Sequence, residues 1–205
     1  MDKGVLVVIS GFSGAGKGTL MKQLVSRYDQ YALSISATTR QPREGELDGR
    51  EYFFKTKEEF EEMIAQDALV EYAQYVEHYY GTPKKYVEEN LEAGKDVLLE
   101  IEIQGALKIR EKYPEAILIF VTPPSGEERG TETIEVIEKR LRRAMQESEG
   151  VEAYDYILVN DNIDTCTEKL HNLIRAAHEK GSRHMDIIEN VRQDLRRMEH
   201  ATANI

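Results

Sequence analysis

Along the chain, short runs of consecutive apolar residues alternate with stretches in which apolar positions return every three or four residues. Residues 5–10, VLVVIS, form a near-continuous β-branched run, which predicts a strand buried on both faces of a parallel sheet. The same signal recurs at DVLLEIEI (96–103), AILIFVTPP (116–124) and YDYILVN (154–160). From Lys17 to about Tyr28, Leu20, Met21, Leu24 and Val25 fall at helical spacing, and further helical patterns lie around 84–94, 105–112, 133–148 and 164–180. Strands alternating with helices predict an α/β fold with a parallel sheet flanked by helices.

Two stretches break the alternation. Residues 36–83 are rich in Arg, Gly, Thr, Tyr and Glu and hold short strand-like pieces such as EYFF beside one amphipathic helix, KEEFEEMIAQDA. They predict a small α+β lobe inserted into the main fold. Residues 125–143, SGEERGTETIEVIEKRLRR, begin polar and end in an arginine-dense helical pattern, which suggests a lid. The core then comprises 1–35, 84–124 and 144–180. In the extension 181–205, Ile187, Ile188, Val191, Leu195 and Met198 fall at helical spacing and predict a packed or partly frayed C-terminal helix, with an oligomerisation role as the alternative.

Composition narrows the function. A chain of 205 residues with 40% apolar residues supports one good core and small appended lobes. No apolar run is long enough to span a bilayer, and the first residues lack a secretory signal pattern, so the expectation is a soluble, cytoplasmic protein without a membrane partner. The single cysteine, Cys166, excludes an intrachain disulfide and a cysteine-cluster metal site, and reads as a small buried hydrophobe. A net charge of -11 argues against nucleic acid as the main partner. Monomer and homo-oligomer both stay open. An acidic protein that binds phosphates must gather its basic groups locally.

The stretch GFSGAGKGT, 11–19, follows the first predicted strand and opens the first predicted helix. It fits the phosphate-loop pattern GxxxxGK[ST] through Gly11, Gly16 and Lys17, with Gly18 where a hydroxyl belongs. The turn through Phe12, Ser13, Gly14 and Ala15 presents backbone N–H groups to one point, the helix N-terminus adds partial positive charge, and Lys17 reaches the outer phosphates. With Thr19 as the nearest hydroxyl, triphosphate binding survives. Mg²⁺ is then held by nucleotide oxygens, Thr19 and water, since this ion commonly keeps several waters.

A second anion site follows. In SISATTRQPREGELDGREYFF, 34–54, Arg40 and Arg43 stand three apart with Ser36 upstream and Tyr52 downstream, and two guanidinium forks with a phenol can clamp one phosphate. LVEYAQYVEHYYGTP, 69–83, adds Glu71, Tyr80 and Thr82. A carboxylate accepts from the N1–H and 2-amino group of guanine while a hydroxyl donates to O6, and adenine offers no such donor edge. A buried carboxylate left unpaired is expensive, so such a site discriminates strongly.

Taken in order over roughly residues 4–180, GFSGAGKGT, SISATTRQPREGELDGREYFF, EYAQYVEHYYGTP, LEIEIQGA, PPS, RGTET and YDYILVND resemble guanylate kinase of the bacterial type, a nucleoside monophosphate kinase. The resemblance implies a P-loop NTPase-type fold with 36–83 as the GMP-binding lobe, and Mg-dependent transfer from ATP to GMP or dGMP. It implies that Ser36, Arg40, Arg43, Tyr52 and Tyr80 contact the GMP phosphate and its surroundings. Glu71 and Thr82 read the base. Gly14, Gly16, Lys17, Gly18 and Thr19 belong to the ATP loop, and Asn160 lies near the adenine. Lys17, Arg40, Arg43 and the lid residues Arg129 and Arg140 supply catalytic positive charge.

The chain departs from the family pattern twice. Glu102 stands where the family carries an aspartate, with Glu100 two residues earlier on the same strand face; the former is assigned to GMP and the latter to waters around Mg²⁺. Between PPS and RGT only Gly126, Glu127 and Glu128 intervene, roughly seven residues fewer than in the family, or about two helical turns. Ser125 occupies the place of an arginine four residues before Arg129. The short lid predicts slower turnover or compensation by Arg142 or Arg143. Three alternatives stay open at this point: a kinase-like domain that binds a partner protein, a kinase for another monophosphate, and a catalytically weak or inactive relative.

Overall fold

A computed structural model describes residues 3–75, 77–124 and 149–202. The helical pattern at 133–148 and the lid stretch 125–143, with Ser125, Arg129, Arg140, Arg142 and Arg143, lie outside the described residues.

Five strands form the main sheet: β1 (Leu6–Gly11), β2 (Tyr31–Leu33), β7 (Asp96–Glu100), β8 (Ile117–Thr122) and β9 (Tyr156–Val159), in the order β2-β7-β1-β8-β9. Every pairing is parallel; Val7 of β1, for example, faces Leu98 on one side and Ile117 on the other. Because side chains alternate across a strand, β1 feeds two cores. Val5, Val7 and Ile9 pack with Leu20, Met21 and Leu24 of α1 (Lys17–Arg27) and with Leu170 and Ile174 of α5 (Ile163–His178). Leu6 and Val8 meet Val87 and Leu91 of α3 (Lys84–Glu92) and Ala106 and Ile109 of α4 (Ile103–Lys112). Covering both faces is what a near-continuous apolar strand requires, and each such side chain contributes about 1.5–3 kcal/mol.

A second sheet, β4-β3-β6-β5, is built from β3 (Ala37–Thr38), β4 (Phe53–Phe54), β5 (Leu69–Tyr75) and β6 (His78–Pro83). It closes over its own small core of Ala37, Phe60 and Leu69, flanked by Phe53 and Tyr79. Phe60 comes from α2 (Lys57–Ala65), whose start is fixed by reciprocal bonds: Glu59 N donates to Thr56 Oγ1 at 3.1 Å and Thr56 N to Glu59 Oε2 at 2.7 Å.

Three features differ from the sequence expectation. The edge strand β2 has only three residues, Tyr31–Leu33, too few to show a period; its identity comes from pairing with β7. The predicted strand through 103 stops at Glu100, Glu102 is the N-cap of α4, and Glu100 and Glu102 therefore do not share a strand face. The C-terminal helix α6 (Met185–Thr202) forms, yet its stripe faces outward, with Val191 50%, Leu195 60% and Met198 65% exposed. Periodicity reports a helix and one apolar face; it does not report a partner. Among the described residues no helix is long and apolar enough to cross a membrane.

Candidate active site

All five strands of the main sheet point their carboxyl ends to one side, where ligands of open α/β sheets bind. The loop after β1, the ends of β2 and β7 and the start of α4 enclose a cleft of about 1090 Å³ there. A single small-molecule pocket is roughly 300–1,000 Å³, so this cleft stands at the top of that range. Of the residues expected from sequence, Gly11, Ser13, Gly14, Lys17, Gly18, Ser36, Tyr52, Thr82, Glu100 and Glu102 line it.

The loop at 11–17 takes its shape from glycine where the backbone turns left-handed: Gly16 sits at φ 81° as the N-cap of α1. Ala15 N donates to Phe12 O at 3.0 Å, closing the turn. Phe12 anchors it by an edge-to-face contact with Phe120 at 5.0 Å. Lys17 Nζ curls back to donate to Gly11 O at 3.0 Å and Phe12 O at 3.1 Å, which holds its charge over the loop. At the first turn of α1, Thr19 is exposed and Gly18 lines the cleft. A Cβ at Gly18 would lie 3.7 Å from Glu100 Oε2, so a carboxylate faces the place where the usual hydroxyl would stand. Burial raises the Glu100 pKa, while Lys17 and Lys22 pull it the other way. Asn160 donates its Nδ2 to Ala15 O at 2.8 Å, tying the loop to the end of β9.

Beside Tyr52, which lines the cleft, Arg40 is fixed from several sides. Its guanidinium donates to Gln41 O at 2.8 Å and to Glu46 Oε1 at 2.9 Å, and lies 5.2 Å from the Tyr52 ring centroid. Tyr52 in turn meets Tyr80, ring centroids 6.1 Å apart. Arg43 enters by its backbone: Arg43 N donates to Glu46 Oε2 at 2.7 Å and Glu46 N to Arg43 O at 3.1 Å, closing a tight turn over Gly45 at φ 85°. Glu46, held below the usual carboxylate range first by the Arg40 bond and then by the Arg43 backbone, supports both arginines and was missed by sequence reasoning. Its signal was there: a carboxylate one residue after a glycine, three after one arginine and six after the other.

Glu71 and Thr82, expected from sequence to read the base, both come from the small sheet, and α4 packs against them. Thr82 Oγ1 donates to Glu71 Oε1 at 2.8 Å, with both side chains buried. The other carboxylate oxygen faces Gly105 of α4, where a Cβ would stand 3.4 Å away. Desolvation raises the Glu71 pKa, against the Thr82 bond and the more distant Lys108 and Lys112 charges. Ser34, also unforeseen, lines the same cleft with a buried hydroxyl that has no hydrogen-bond partner among the described residues. The two lid arginines expected to close the site, Arg129 and Arg140, lie outside the described residues.

Known proteins carry the same pattern. The family model described as guanylate kinase matches residues 3–177. Guanylate kinase of Caldanaerobacter subterraneus subsp. tengcongensis is 50% identical over 199 residues, covering 94% of this chain and 97% of the relative. That of Bacillus subtilis is 50% identical over 190 residues, 89% of this chain and 93% of the relative. Among solved structures, the crystal structure of guanylate kinase from Anaplasma phagocytophilum superposes with a TM-score of 0.73 at 34% identity, covering 89% of this chain and 90% of that one.

Proposed function

Since the chain belongs to the guanylate kinase family of ATP:GMP phosphotransferases, we propose that the cleft holds ATP at residues 11–19 and GMP or dGMP against the small sheet. The observation that carries this reading is the pairing of two unlike sites in one cavity: a phosphate loop with Lys17 on one wall and, on the other, Ser36, Tyr52 and Thr82, the last hydrogen-bonded to the buried Glu71 behind it. Intact Lys17 and loop glycines, with the family match, give no support to the non-catalytic alternative.

In this reading Gly11, Phe12, Ser13, Gly14, Ala15, Gly16 and Gly18 shape the triphosphate cradle, Lys17 neutralises its outer phosphates, and Asn160 belongs to the ATP side. Ser36, Arg40, Arg43, Tyr52 and Tyr80 seat the GMP phosphate, and Glu71, Thr82 and Glu102 read guanine. Residues 36–83 act as the GMP lobe, 125–143 as a short lid, and 1–35, 84–124 and 144–180 as the nucleotide-binding core. A phosphate oxygen is already a competent nucleophile, so no general base is required. Catalysis reduces to aligning two anions and neutralising charge between them, with Arg129 and Arg140 adding to Lys17, Arg40 and Arg43.

The residues present fit Mg²⁺. Glu100, beside Gly18, and Thr19, the next residue in the chain, offer hard oxygen donors, and among the described residues no cluster of three metal-ligating side chains competes as a protein cage. Such an ion would supply charge neutralisation at the outer phosphates, and Glu100 and Thr19 would hold it through water. The setting is the cytoplasm, as monomer or homo-oligomer, with no nucleic acid or membrane partner. If Arg142 or Arg143 compensates for the short lid, replacing both by alanine lowers kcat; an unchanged kcat contradicts compensation.

The test is steady-state ADP formation with ATP and Mg²⁺, comparing GMP, dGMP, IMP, AMP and UMP. Turnover is expected with GMP and dGMP and strongly reduced with IMP, which lacks the 2-amino donor. Equal turnover of AMP would overturn the base assignment.

A further inference from the structure

The turn before α1 is held from outside the loop. Gly16 takes a left-handed conformation, φ 81° and ψ 17°, and no side chain caps the helix there. In a trans peptide unit the C=O and the following N–H point in opposite directions, and the described chain has no cis bond. The direction of the Ala15 carbonyl therefore sets the direction of the Gly16 N–H. That carbonyl accepts from Asn160 Nδ2 at 2.8 Å, across a separation of 145 residues. Asn160 is fixed in its turn, because its own N–H donates to Thr122 O at 2.8 Å and continues the β8–β9 ladder. A Cβ on Gly16 would stand 2.6 Å from Asn160 Nδ2, so the amide fills the space a side chain would need. The residue type fits the role: an amide nitrogen donates to a carbonyl, whereas a carboxylate at the same place would repel it.

We propose that Asn160 is a positioning residue for the phosphate loop, pinning the Ala15 carbonyl to the end of β9 and so aiming the Gly16 N–H at the triphosphate. It acts through the loop and not through the base. The inference rests on the reading of residues 11–19 as the triphosphate site.

The experiment is calorimetric titration of the full-length protein and its Asn160→Ala and Asn160→Asp variants with ATP, GTP, inorganic tripolyphosphate and GMP. Losing one hydrogen bond in the loop weakens all three polyphosphate ligands together, by about tenfold for Asn160→Ala and by more for Asn160→Asp, with GMP unchanged. Weakening confined to ATP, with tripolyphosphate unaffected, would overturn the proposal in favour of a contact to adenine. Unchanged binding of all three would overturn it outright. A wild-type protein that binds neither ATP nor tripolyphosphate instead removes the reading of the loop itself, and the inference with it. A ligand-free readout stands beside these: the Gly16 amide resonance shifts in Asn160→Ala while those of Val7 to Ile9 stay in place. An unmoved Gly16 resonance would contradict the pinning.

Discussion

In the proposed reading, the two walls of the cleft recognise the same chemical group by different means. On the ATP wall a phosphate meets backbone: a turn shaped by glycine between a buried strand and a helix, with one lysine. On the GMP wall it meets side chains: Arg40 clamped by Glu46 and Gln41 O and stacked near Tyr52, in a lobe whose own core is Ala37, Phe60 and Leu69. A backbone site inherits its geometry from the parallel sheet beneath it and is expected to tolerate changes such as Gly18. A side-chain site needs each guanidinium held in place by other residues, so it adds supporting groups such as Glu46. The first kind loses function through its single charge, the second through any member of its network.

The largest expected effect therefore lies at Lys17. Lys17→Ala should lower kcat by about 10²–10³-fold with GMP affinity intact; steady-state kinetics at saturating GMP checks it, and a loss confined to the GMP KM would erase the distinction between the walls.

Next comes the base reader. Glu71→Gln replaces an acceptor oxygen by a donor, and kcat/KM for GMP should fall by about 10²-fold. Because burial raises the Glu71 pKa above its ordinary value of 4.5, it protonates at a higher pH than a free glutamate. GMP affinity should then decline as pH falls through that raised value and recover above it, while ATP affinity does not follow.

A smaller effect sharpens the contrast. Glu46→Gln loosens Arg40 and the Arg43 turn without touching either loop or base, so the KM for GMP should rise about three- to tenfold with the KM for ATP unchanged. A rise in both would mean that Glu46 supports the fold at large.

The smallest effect lies behind the sheet, away from both walls. His171 stacks on Tyr28, ring centroids 3.8 Å apart, and its Nδ1 lies 2.6 Å from Tyr31 Oη. Desolvation, then Arg175, holds its pKa below the ordinary 6.5, with Asp96 opposing them. A depressed histidine is neutral in the fold, so its contribution is present above pH 6.5 and lost as pH falls through the folded value. The thermal midpoint of His171→Phe should fall less between pH 7 and 5 than that of wild type.

How much of this could be read from sequence follows the same division. β1, β7, β8 and α1 were legible because both faces of the sheet are covered, which leaves near-continuous apolar runs, and the phosphate loop was legible because its chemistry is contiguous in the chain. β2 was not, since Tyr31–Leu33 is a strand only by its pairing with β7. The helix start at Ile103 was hidden by an apolar alternation that continues past the end of β7. What Gly18 faces, Glu100, and what holds Ala15, Asn160, are contacts between distant segments that no local pattern carries. α6 shows the converse: its period was plain, while its outward-facing stripe was not.

In the proposed function both anion sites open into one cleft and face each other across it. The most direct measurement is the affinity of a bisubstrate ligand, adenosine and guanosine joined through five phosphates, compared with ATP and GMP alone by calorimetry. If the sites face each other, the linked ligand gains from both at once and should bind at least about 100-fold tighter than either nucleotide, with Lys17→Ala and Glu71→Gln each removing part of that gain. Binding no tighter than ATP would contradict the account, placing the two sites too far apart, or too poorly aligned, for direct transfer.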